Sequence, residues 1–205
     1  MGLLALEQEV TEQIQSTHTN IPIKTIMQHV FQLAKDGLKL NIKLCFTMPE
    51  GFEQAYGVTN PVTGDIHVNE ALWDPSNPVE PLFYFLHELR HAIQAAHPDW
   101  FSRAIQLNAR YILQYDGTAY KIEQHEILEV KLPGEQAYFT ELYLASPAEV
   151  DANAFAYRCL SGVGGEKLER LYAMWSPEYR YFSREEADDE FLKAVEAIEA
   201  QLAKR

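Results

Sequence analysis

Leu82, Phe83, Phe85, Leu86, Leu89, Ile93 and Ala96 spread apolar side chains over most of the circumference of one helix. A helix of that kind is a buried one, so the rest of the chain has to enclose it. Proline sets its limits. Pro75, Pro78 and Pro81 keep any long helix from running through residues 74–81, so a new one starts after them, and Pro98 stops it.

The segments around it supply the enclosure. Leu3, Leu6, Val10 and Ile14 recur at helical spacing, as do Ile23, Ile26, Met27, Val30, Phe31 and Ala34 between Pro22, suited to a first turn, and Gly37, suited to a stop. Leu40, Ile42, Leu44 and Phe46 alternate like a half-buried strand. Residues 55–69 read as a hairpin, with its turn running from Asn60-Pro61 to Gly64-Asp65. Beyond Pro98 the pattern predicts a helix over 100–114, irregular chain over 116–140 relieved by an alternation at Leu128, Val130 and Leu132, and a helix from Pro147 to about Leu160, closed by Gly162-Val163-Gly164-Gly165. Ser183 and Glu186 form a capping-box pattern ahead of Phe191, Leu192, Val195, Ile198 and Leu202. The expectation is one α+β domain over 1–205, mostly helical, with a small mixed or antiparallel sheet preceding the buried helix and C-terminal helices over 166–205. Neither an internal repeat nor a dividing linker is visible.

Inside the buried helix stands His87-Glu88-Leu89-Arg90-His91, an HExxH pattern. Residues i and i+4 share a helix face, so both imidazoles can reach one metal ion, while Glu88 can reach a water on that ion. Two such histidines, a third protein ligand and an open position make a catalytic zinc site, with Glu88 as general base in metal-assisted hydrolysis.

Two routes lead to a third ligand. His97 stands ten positions after His87, but that spacing needs a chain reversal after His91; Gln94 occupies the usual glycine position, and ten helical residues would separate the two by about 15 Å. The favoured route is Ser146-Pro147-Ala148-Glu149-Val150-Asp151-Ala152-Asn153, where Glu149 lies in the first turn of a helix and Asn153 lies four residues later on the same face. Glu149 would ligate zinc and Asn153 would hydrogen-bond a ligand from behind. Asp151 is the rival carboxylate, on another face. Glu149 can equally be an anion placed at a helix N-terminus, where the macrodipole favours it. Donors for a developing oxyanion would come from His125, Tyr143, Tyr157, Tyr179 or Arg158, none of which spacing selects, while His18, His29 and His67 read as ordinary polar positions.

Asp65-Ile66-His67-Val68-Asn69, the helix carrying HELRH, and the later Glu149, Ala152, Asn153, Phe155 and Ala156, an E-x-x-A-N-x-F-A pattern, together resemble the ImmA/IrrE-like family of bacterial and phage zincin metallopeptidases. The resemblance covers about residues 55–160. It implies a zincin-like α+β fold, Zn2+ held by His87, His91 and Glu149, a Glu88 base, and a strand at 65–69 that aligns an extended peptide by β-augmentation. The chain departs from the pattern in several places. Arg90 stands where uncharged residues are usual, and on a helix it can point to solvent. The stretch from His91 to Glu149 is long, so residues 98–140 look like an insertion, a lid or a docking segment. The family's helix-turn-helix companion is not evident, and Tyr157-Arg158-Cys159-Leu160 replaces a Leu-Met-Pro type ending.

Charge narrows the partners. With 17 Lys and Arg against 30 Asp and Glu the formal net charge is −13, which leaves no basic face for nucleic acid or for an anionic membrane surface. No apolar run is long enough for a span, no basic segment opens a signal peptide, and two cysteines make no disulfide framework. Cys45 and Cys159 are expected as buried thiols in a cytoplasmic protein. The functional expectation is a zinc metallopeptidase acting on a specific protein or peptide. The alternatives are a non-catalytic zincin-fold module that binds metal or a partner protein, and a helical interaction protein with an accidental HExxH.

Overall fold

The computed structural model describes residues 1–17, 21–74, 76–123 and 126–204; Pro75, His18 and His125 lie outside the described residues. In chain order the elements are α1 (Leu3–Thr17), α2 (Ile23–Leu38), β1 (Leu44–Cys45), β2 (Gly57–Thr59), β3 (Ile66–Val68), α3 (Val79–Ala96), α4 (Arg103–Asn108), β4 (Tyr111–Leu113), β5 (Thr118–Glu123), β6 (Glu126–Lys131), α5 (Gln136–Leu144), α6 (Pro147–Leu160), α7 (Gly165–Met174) and α8 (Ala187–Leu202). The fold is α+β and mostly helical. Among the described residues no helix is long and apolar enough to cross a membrane. The chain forms two compact units, Met1–Ala96 with Ala152–Met174, and His97–Asp151 with Trp175–Arg205. The dividing point falls inside α6, near its start, so that helix is continuous across it.

In the first unit, α1 buries Leu6, Val10 and Ile14, and Glu7 on the same helix takes a two-pronged bond from Arg158 of α6, at 2.7 Å from Nε and 2.9 Å from Nη2. In α2, Ile26, Met27, Val30, Phe31, Ala34 and Leu38 are buried. The helix runs through Gly37, the expected stop, because Leu38 still has a buried place to fill; the left-handed residue that ends it is Lys39, at φ 57°. The strand expected over 40–46 shrinks to Leu44–Cys45: Leu40 and Ile42 are buried as apolar packing without joining the ladder. The expected hairpin is present, with β2 antiparallel to β3 and Val58 opposite His67. The strand order is β1-β3-β2, with β1 parallel to β3. Thus β3, the strand at 65–69 expected to align a peptide, is the central strand with both edges taken, and β2 is an edge. Helix α3 packs on β2 and β3, and it starts at Val79 with Pro81 in its first turn, where no N–H is needed.

The second unit corrects the reading of 100–140. The expected helix over 100–114 is a short one, Arg103–Asn108, followed by strand β4. Asn108 ends the helix by turning its side chain to the backbone: Nδ2 donates to the Tyr111 carbonyl at 3.2 Å, and Oδ1 accepts from the Ala148 N–H at 3.0 Å. The stretch read as irregular holds an antiparallel sheet in the order β4-β5-β6, and then α5. The fold therefore has a second sheet, after the HExxH helix as well as before it. Gly117 at φ 82° makes the β4–β5 turn, where a Cβ would meet the Phe139 ring at 2.6 Å. Leu113, Val130, Leu132, Phe139, Leu142, Phe191, Val195 and Ile198 form this unit's core. The carboxylate of buried Glu141 accepts the Arg180 and Tyr181 N–H groups at 2.6 and 2.9 Å. Ser183 and Glu186 make the capping box that the sequence predicts.

Candidate metal centre

Helix α3 presents His87 and His91 one turn apart, their rings nearly perpendicular with centroids 4.5 Å apart. Each ring has one nitrogen committed elsewhere. His87 Nδ1 lies 2.9 Å from Asn153 Oδ1, and His91 Nδ1 lies 2.9 Å from Gln94 Oε1. An amide oxygen accepts and cannot donate, so both rings carry their proton on Nδ1. The two Nε2 atoms are then the ones that converge, facing each other at 2.9 Å. Two lone pairs at that distance repel unless a proton or a metal cation lies between them.

The third member comes from α6. That helix brings Asn153 to His87, and Glu149 stands one turn before Asn153 on the same face. Ligand atoms of His87, His91 and Glu149 all lie within 4.8 Å of one another, and the three can hold a metal ion. Two imidazoles and one carboxylate are a donor set that suits zinc, and three protein donors leave a position open. The orienting contacts behind both imidazoles are those of metal-binding histidines generally.

Glu88 is not one of the converging three. It is 8% exposed, and its carboxylate oxygen Oε2 accepts the Thr59 hydroxyl at 2.7 Å. His97 stacks flat on Trp100, with centroids 4.1 Å apart, and neither it nor Asp151 joins the group. Arg90 does not point to solvent as the helical position allowed: it is 6% exposed, with its guanidinium 5.1 Å from the Phe155 ring centre. A planar delocalised cation can be buried against an aromatic face, so it serves the packing of α3 on α6. Of the oxyanion candidates, Tyr157 donates to Glu169 at 2.6 Å, which raises its hydroxyl pKa, and Arg158 is paired with Glu7. Cys159 is buried and Cys45 half-buried, and both are free.

Two further residues matter here. Gln94, 2% exposed, stands at the usual glycine position, and its place three residues after His91 on one helix is the signal that points to it. Thr59 reaches Glu88 from another element, and no local spacing reveals it. Compared with known proteins, the chain matches no family model, no curated protein and no solved structure.

Proposed function

We propose that this chain is a zinc-dependent metallopeptidase of the zincin type, with zinc held by His87, His91 and Glu149 and with Glu88 as general base. The observation that carries this reading is the pair of Nε2 atoms facing each other at 2.9 Å while both Nδ1 atoms are engaged by amide oxygens. Zinc in this position supplies Lewis acidity, lowering the pKa of a water and polarising a carbonyl.

The chain's own residues do the rest. Asn153 and Gln94 hold the two imidazoles in the tautomer that offers Nε2. Glu88, buried on the adjoining face of α3, takes the proton of the attacking water and passes it to the departing amine nitrogen. An extended peptide has an available backbone edge at β2, the strand that touches Glu88, where it would pair as an added strand. The net charge of −13 favours neutral or cationic segments. In a cytoplasmic setting the substrate is a specific protein.

Glu88→Gln tests the reading. Zinc-loaded protein is incubated with a proteome-derived peptide library, and new termini are counted by mass spectrometry. Cleavage should fall by roughly 10²- to 10⁴-fold in the variant while bound zinc stays unchanged. A variant that holds zinc and cleaves as the parent does would overturn Glu88 as the base, and a zinc-loaded parent that cleaves nothing in the library would leave a non-catalytic metal-binding module as the account.

A further inference from the structure

The inward face of β2 is built around Glu88. Val58 pairs with His67, so the neighbouring positions Gly57 and Thr59 turn to the opposite face of the sheet, toward α3. Both meet Glu88. The Thr59 hydroxyl lies 2.7 Å from Glu88 Oε2 and 2.9 Å from the Glu88 carbonyl oxygen, so one proton ties the side chain of Glu88 to its own backbone. At Gly57 an added Cβ would stand 2.8 Å from Glu88 Cγ and 3.4 Å from Oε1. One residue latches the carboxylate and the other leaves room for it.

From this geometry we infer that Thr59 is a positioning residue: it engages Glu88 Oε2 and keeps Oε1 as the oxygen that meets the reacting water, with Gly57 supplying the clearance. The inference rests on the peptidase reading above. A carboxylate only 8% exposed is costly to bury without a partner, and Thr59 supplies one. The Thr59 bond is charge-assisted and short, the kind that fixes a rotamer rather than merely satisfying one. Fixing matters because a base that is displaced by even an ångström loses much of its effect.

The test uses the full zinc-loaded chain and four variants: Thr59→Val, which keeps the shape and loses the hydroxyl, Thr59→Ser, which keeps the hydroxyl, Gly57→Ala, which intrudes on the carboxylate, and Glu88→Gln. Three quantities are read: zinc affinity, affinity for acetohydroxamate, a zinc chelator whose proton a correctly placed carboxylate accepts, and kcat and KM on a peptide that the parent cleaves. Thr59→Val and Gly57→Ala should bind zinc as the parent does, bind acetohydroxamate roughly tenfold more weakly, and lose kcat with KM unchanged, as expected for one charge-assisted hydrogen bond. Thr59→Ser should restore all of these. Thr59→Val behaving as the parent in hydroxamate affinity and kcat, while Glu88→Gln is impaired in both, would overturn the positioning role alone. Glu88→Gln unimpaired in both would overturn the peptidase reading beneath it. Should Thr59→Val fail to fold, Thr59→Ala, which also removes the hydroxyl, takes its place and decides by the same readouts.

Discussion

Asn153 and Gln94 accept from the two histidines at the nitrogens that face away from the converging pair. Removing either acceptor frees an imidazole to rotate and to exchange tautomers. Asn153→Ala should therefore weaken zinc binding by roughly 10- to 100-fold, measured by competition with a chromophoric chelator, with little change in the circular dichroism spectrum. Cys159 offers a different check. Burial is the largest influence on its thiol and pushes it up to about 12, with Glu7 adding to the shift. Native protein should stay unreactive toward a thiol reagent at that position at pH 8, and unfolded protein should react. The linkage has a definite sign: the raised pKa contributes stability that is fully present below the ordinary thiol value of 9 and is lost as pH rises toward 12. Denaturation midpoints should accordingly fall across that window, and Cys159→Ala should remove that part of the fall.

At the scale of elements, helices were the legible part. Pro22, Pro98, Pro147, the glycines after Leu160 and the Ser183–Glu186 box all mark boundaries that the structure keeps within a few residues. His87, His91, Glu149 and Asn153 were legible for the same reason, since i and i+4 positions on a helix share a face whatever surrounds them. The second sheet was not legible. Strands β5 and β6 interleave Lys and Glu with their apolar residues, and Ile127 stays 51% exposed, so the alternation that marks a half-buried strand is diluted. The charge of Arg90 likewise said nothing about its burial, because the Phe155 ring that receives it comes from a helix far along the chain. Phe155 joins these elements: it is fully buried on α6 and underlies the Arg90 guanidinium of α3. Phe155→Ala should destabilise the protein by about 3–5 kcal/mol, read from urea denaturation, because it opens a cavity and strips the buried cation of its aromatic face.

Over the whole molecule, two cores form, and the stretch expected as an insertion at 98–140 is built into the second of them together with α8. The acidic surplus is spent mostly on solvated side chains: those from Glu185 to Glu190 are exposed or half-buried. Three carboxylates stand apart from that background: Glu141 beneath the Arg180 and Tyr181 N–H groups, Glu88 beneath Thr59 and Glu149 beside the histidines. The central claim is that His87, His91 and Glu149 hold one zinc ion. Zinc content after exhaustive dialysis, measured by plasma emission on the parent and on Glu149→Ala, addresses it directly. The account predicts about one equivalent per chain in the parent and a small fraction of that in the variant. Less than about a tenth of an equivalent in zinc-supplemented parent, or an undiminished equivalent in Glu149→Ala, would contradict it.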